Sequence, residues 1–167
     1  MAKDATKVEI GHCDVTIGSK SMGHTKGGVE VTYTPDIHMI TVDDYGSSPV
    51  EGILIGEEFR VKAYFAEWQY DQIKKAVPFG TLTGTSKITI GKKAGASGLA
   101  LAEKMVFRPI GTTGAHDVIL HKELAISEVP MPHKIDEERV WEVEFIALVD
   151  ETKSDGNYLA TIGDSTT

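Results

Sequence analysis

Cysteine occurs once in the 167 residues, as Cys13, so the chain closes no internal disulfide and supplies no cysteine-rich zinc site, and a reducing compartment is the default. Basic residues are also scarce. Seventeen lysines and arginines against 25 aspartates and glutamates give a formal charge of −8 and a pI near 5.2, which argues against a nucleic-acid binder built on a basic footprint. No stretch approaches the roughly 18 consecutive apolar residues of a membrane span. The start MAKDATKVEIGHCDV has no apolar run of about 7 to 15 residues after a basic opening, so neither membrane insertion nor a signal peptide is expected. Hydrophobic residues at 41% and charged ones at 25% are ordinary globular values and exclude wholesale disorder. The length fits one domain over residues 1–167, able to bury about 70% of its unfolded surface without a metal or disulfide.

Catalytic signatures are missing as well. His12, His24, His38, His116, His121 and His133 show no HExxH or related spacing, and the odd spacing of His116 and His121 would send them to opposite faces of one strand. Gly91-Lys92-Lys93 resembles a piece of a phosphate loop, but Ser86 stands where the first glycine is needed, and no Ser or Thr follows the lysine. His12 and Cys13 are sequence neighbours whose side chains point apart on a strand, and there is no GxSxG or GxGxxG. Neither an enzyme nor a cofactor is expected. Acids cluster at Asp43-Asp44, Glu57-Glu58 and Asp136 to Glu138, where solvated strand ends are the plain explanation.

What the sequence does have is period two. Phe59, Val61, Ala63 and Phe65 alternate with Glu58, Arg60, Lys62 and Tyr64, a half-buried strand with one wet face. Val29, Val31 and Tyr33 alternate likewise, Pro35 interrupts, and Ile37 to Val42 resumes, which reads as two strands joined at a bend. Asp14 to Gly18, Ser86 to Ile90, Ala102 to Phe107 and Asp117 to Ile126 add shorter strands. From Arg139 to Val149, the residues Trp141, Val143, Phe145, Ala147 and Val149 make an apolar face. The other face mixes Glu142 and Glu144 with Val140, Ile146 and Leu148, which suits an interface or a channel rim better than open solvent. The chain is therefore mostly β. Ala66, Tyr70, Ile73 and Val77, stopped by Pro78, predict one short amphipathic helix of about 11 residues that must dock on the sheets to persist. Trp68 and Tyr70 are expected to pack against the sheet. Residues 43–56 (DDYGSSPVEGILIG) read as a long projecting hairpin loop, and residues 91–101 as a second long connection. The polar stretch 151–167, with Tyr158, Leu159 and Ile162, reads as an arm that orders on a partner.

The runs GHTKGGVEVTY (Gly23 to Tyr33), TVDDYGSSPVEGILIGEEFRVKAYFAEW (Thr41 to Trp68) and EERVWEVEFIALVD (Glu137 to Asp150) resemble the tail tube proteins of long-tailed bacteriophages, over roughly residues 14 to 150. Residues 1–13 and 151–167 lie outside the resemblance. The resemblance implies two packed antiparallel sheets, sandwich- or barrel-like, with one short flanking helix, and similarity to the tube of type VI secretion. It further implies six subunits to a ring, rings stacked into a hollow tube, and location in the virion tail after assembly in the host cytoplasm. Its implied partners are further copies of the chain, a tape measure protein, a tail terminator and baseplate or tip proteins, with viral DNA passing without specific binding. In that frame Asp43, Asp44, Tyr45, Gly46, Ser47, Ser48, Pro49 and Val50 would stack rings, and Tyr158, Leu159 and Ile162 would contact neighbouring subunits. An acidic lumen would let DNA slide where a basic one would hold it, with Glu142, Glu144, Asp136, Glu137 and Glu138 the candidate lining charges. A tail terminator, baseplate hub or connector, or a small-molecule-binding β-barrel, are the alternatives.

Overall fold

A computed structural model describes residues 12–112, 114–133, 135–136 and 138–163. Ten strands and one α-helix are present among them: β1 (Cys13–Ile17), β2 (Lys20–Ser21), β3 (Thr25–Thr41), β4 (Pro49–Phe65), α1 (Tyr70–Ala76), β5 (Thr81–Thr83), β6 (Lys87–Thr89), β7 (Glu103–Pro109), β8 (Val118–Ala125), β9 (Trp141–Ala147) and β10 (Ala160–Ile162). The fold is mostly β, antiparallel, with one flanking helix. Its main sheet runs β2-β1-β7-β8-β9-β4-β3, and β5-β6 form a separate hairpin.

The two layers are joined through β8. Residues Val118–Leu120 of β8 lie between β7 and β10, whereas Glu123–Ala125 pair with β9. A register shift between Glu103 and Met105 lets the strand change neighbours. The sheet curls over this fork and brings β1 against β3. Val15, Ile17, Met105 and Leu120 thereby meet Val61, Phe65, Trp141, Val143 and Phe145 in one core, all fully buried. Every one of these side chains sits at an alternate position of its strand, the pattern of a sheet with one face dry.

The C-terminal layer is pinned by Trp141. Its ring packs on Phe65 at 4.9 Å between centroids, and its Nε1–H donates to the Glu67 carbonyl at 2.9 Å. Val149, expected on the same apolar face, is instead exposed, because β9 ends at Ala147 and the chain turns at Asp150.

The helix is shorter than its spacing suggests. Residues 66–69 stay extended because the Glu67 carboxylate accepts the His24 N–H at 2.9 Å and the Ala66 N–H donates to the His24 carbonyl. The seven-residue α1 buries Gln72, Ile73 and Ala76 and leaves Tyr70 exposed, whereas Trp68 packs against the core beneath Arg139 and His133. Asp71 in the first turn and Lys74 and Lys75 in the last both suit the helix dipole.

Asp117, at the start of β8, is fully buried and gripped by Arg108, whose Nε and Nη2 donate to its two carboxylate oxygens at 2.9 and 2.6 Å. Arg108→Leu removes this cation from a carboxylate that water does not reach. Because the guanidinium is itself half exposed, the variant should lose stability, by less than the removal of one member of a fully enclosed pair would cost, and urea unfolding at neutral pH measures it.

Candidate functional site

The segment expected as a loop at 43–56 is largely strand. β3 and β4, 17 residues each, pair from Thr25↔Phe65 to Thr41↔Pro49, so Pro49 to Gly56 continue β4. The glycine and proline punctuation marks only the tip. There Asp43–Tyr45 form a 3₁₀ turn, the Gly46 N–H donates to the Asp43 carbonyl, and Gly46 takes a φ of +61° that favours glycine. Asp43, Asp44, Tyr45, Gly46, Ser47, Ser48, Pro49 and Val50 are all exposed at this tip.

Pro35 does not divide β3 as expected. It faces Glu57 in a strand that, among the described residues, is hydrogen-bonded to a neighbour on one side only, the edge position where a strand tolerates proline. The irregularity lies one residue later, between Asp36 and Ile37, where Ile55 is the extra residue on β4. Beyond it Ile37–Thr41 and Pro49–Leu54 project from the body as a ribbon about 17–20 Å long at ~3.3 Å per residue.

The ribbon is apolar and bare. Ile37 and Met39 share a face with Leu54, and all three are exposed by 43–55%. Gly52 makes the face possible, since a Cβ there would stand 3.0 Å from Ile37 Cγ2. The same alternation continues to Val31 and Tyr33 at the ribbon's base, both exposed. The outer edge of β3 has no neighbouring strand among the described residues. A long apolar edge with free backbone donors and acceptors is a template for another chain.

The acidic candidates on β9 are compensated. Glu142 pairs with Lys62 at 2.7 Å, and Glu144 accepts from Arg60 Nη1 at 2.8 Å, while Arg60 also holds Glu58. These contacts raise the pKa values of Arg60 and Lys62 and lower that of Glu58. Glu138 pairs with Lys26 at 2.6 Å, Asp136 is exposed, and Glu137 lies outside the described residues. The wet face of β4 and β9 is thus a ladder of alternating charge. Lys62 and Arg60 are the site residues that the acid-only reading missed, and the signal was present in the EFRVKAY alternation.

Bare negative charge gathers instead on the ribbon. Residues 31–57 contain Asp36, Asp43, Asp44, Glu51 and Glu57 and no lysine or arginine.

The C-terminal arm orders on its own subunit. β10 adds to β8, the His121 N–H donates to the Leu159 carbonyl, and the Asp150 N–H donates to that of Tyr158. Its turn is tied by Thr161, whose hydroxyl donates to Asn157 Oδ1 at 2.8 Å, and by His121 Nε2 at 2.9 Å from the same oxygen. Leu159 packs against the core, while Tyr158 and Ile162 remain exposed. The half of β8 that β9 leaves unpaired is what draws the arm back. An open groove of about 620 Å³ runs between this arm and the ribbon base, lined by Tyr33, Leu54, Phe59, Tyr158 and Ile162.

Among the described residues no group of three His, Cys, Asp or Glu could hold a metal ion, and no helix is long and apolar enough to cross a membrane. Burial and Asp14 raise the pKa of Cys13, opposite to what a nucleophile needs. No protein-family model matches the chain, and no curated protein matches it.

Proposed function

We propose that the chain is a self-assembling structural subunit, of the kind that forms six-membered rings stacked into a bacteriophage tail tube through which DNA passes. The observation that carries this reading is the β3–β4 ribbon. A two-stranded projection with an apolar face and an unpaired edge gains nothing for a lone molecule and invites aggregation. Closed against copies of itself, the same edge becomes used surface. The compensated β4–β9 face supports the reading too, since a surface that neither holds nor strongly repels a phosphate backbone would leave DNA free to slide. The overall acidity adds a weak repulsion. The resemblance of residues 14 to 150 to tail tube proteins supplies the polymer type.

Shortening the ribbon tests it. Joining Ile37 to Leu54 through a two-residue Asn-Gly turn removes no buried residue, since 38–53 are exposed apart from the half-buried Ile40 and the buried part of β4 begins at Phe59. The shortened chain should unfold at a denaturant concentration close to that of the parent. In electron micrographs of concentrated protein the parent should give tubes and the shortened chain none. Tubes from both, or from neither, would end the proposal.

A further inference from the structure

The charges of this chain are segregated along its length, and the fold keeps them apart. Residues 31–57, the ribbon with its base, carry five acids and no lysine or arginine. Residues 73–102 carry Lys74, Lys75, Lys87, Lys92 and Lys93 and no acid at all. This second stretch forms most of α1, the β5–β6 hairpin and the connection to β7. Lys87, Lys92 and Lys93 are exposed and make no ion pair with the described residues, just as Asp36, Asp43, Asp44 and Glu51 make none. Two unpaired fields of opposite sign on one molecule attract two molecules to one another.

Between the lysines lies an apolar groove. Ala76, Val77, Phe79, Ile90, Ile126 and Met131 line an open volume of about 610 Å³. A second hollow shares Phe79 and Ile90 with it and adds Lys92 and Lys93, so the lysines form the groove's rim. Phe79, Ile90, Ile126 and Met131 are each more than a third exposed.

The register sets the groove and the ribbon on opposite ends of the subunit. β4 runs from Pro49 at the tip to Phe65, and α1 starts only five residues further on. Ile126 hydrogen-bonds Glu144, which stands opposite Lys62, and Trp141 stands opposite Phe65. The ribbon leaves the body at the other end of β4, beyond Phe59. One molecule therefore cannot satisfy itself, and a contact between these surfaces is head-to-tail.

We infer that the basic-rimmed groove of α1 and the β5–β6 hairpin receives the acidic ribbon of a second copy, with Ile37, Met39 and Leu54 against Phe79, Ile90 and Ile126 and the aspartates among Lys87, Lys92 and Lys93. This rests on the self-assembly proposed above and names the surface that elongation uses. A heterologous contact of this kind repeats without consuming its own ends, which is what an open polymer requires.

Reciprocal charge reversal tests the contact. D43K/D44K leaves a basic tip facing a basic groove, and K92E/K93E leaves an acidic tip facing an acidic groove. Each should fold, by circular dichroism and melting temperature, and each alone should lose the long assemblies of the parent. Mixed one to one, every tip finds a groove of opposite sign, and long assemblies should return as alternating copolymers, dissolving with added salt. If the parent assembles and either single reversal still elongates, or the folded variants fail to co-assemble, the groove serves some other partner and the inference falls while the structural role stands. A parent that stays monomeric at high concentration overturns both.

Discussion

Replacing Trp141 with alanine should cost about 3–5 kcal/mol and could leave the chain unfolded at 37 °C, since folded domains of this size rarely hold more than about 15 kcal/mol in reserve. The ring is 1% exposed, packs on Phe65, and donates its Nε1–H to the Glu67 carbonyl in the extended segment that leads into α1. Alanine therefore opens a cavity between β4 and β9 and leaves a carbonyl without its donor. Trp141→Phe separates the two losses. It keeps most of the packing and forfeits the hydrogen bond, so its cost should be about 1–2 kcal/mol. Urea unfolding of the two variants beside the parent measures both. Equal costs for Phe and Ala would mean that the hydrogen bond, and not the volume, holds the layers together.

The second large effect is a dependence on pH. Glu123 faces the core opposite Glu103, is 4% exposed, and its Oε2 has no hydrogen-bond partner among the described residues. Burial first, and the neighbouring Glu103 second, push its pKa up to about 8, against the pull of Lys75 and Lys74 on α1. Lys75 spends its charge on Glu103, to which it is ion-paired. The native chain thus keeps a proton on Glu123 that the unfolded chain releases above about pH 4.5. Since the native state binds more protons between pH 4.5 and 8, stability falls as pH rises through that window, by at most about 5 kcal/mol. Glu58, Glu67, Asp71, Glu138 and Asp150 have lowered pKa values and act in the opposite sense, losing their contribution as pH falls below the usual carboxylate range. The two limbs place the stability maximum near pH 5. Glu123→Gln, which stays neutral throughout, should flatten the upper limb. Unfolding free energies of parent and variant at pH 5 and 8.5 test this, and parallel curves would show that Glu123 ionises freely where it stands.

Much of the core could be read directly from the chain. Phe59, Val61, Ala63 and Phe65, and Trp141 through Ala147, announce their buried faces by strict alternation, and that pattern depends only on local geometry. What pairs with what was not readable. Glu142 and Glu144 looked like free acids because the lysine and arginine that neutralise them are about 80 residues away, and only the β4–β9 register brings them together. Pro49 to Gly56 passed for a loop because GILIG lacks alternation, but a ribbon with both faces in solvent is under no pressure to alternate. The self-docking of the arm is hidden for a similar reason. Tyr158, Leu159 and Ile162 are sparse apolar residues in a polar stretch, and the open side of β8 that receives them exists only once β9 has taken the other half. Of the candidate site, the ribbon tip was legible from its turn residues, whereas the groove, assembled from α1, β6 and the residues after β8, had no local signature.

The strands that make the ribbon are the strands that make the core. β4 runs without interruption from the exposed tip to Phe65, and β3 runs beside it. Because inter-strand hydrogen bonds lie perpendicular to the strands, a pull on the tip along its own axis would load the β4–β9 ladder in shear. All of its rungs would then resist together instead of opening one at a time like a zipper. A filament joined through such tips would carry tension through the middle of every subunit, and Ile55, the extra residue at the ribbon's root, is where it should bend before it breaks.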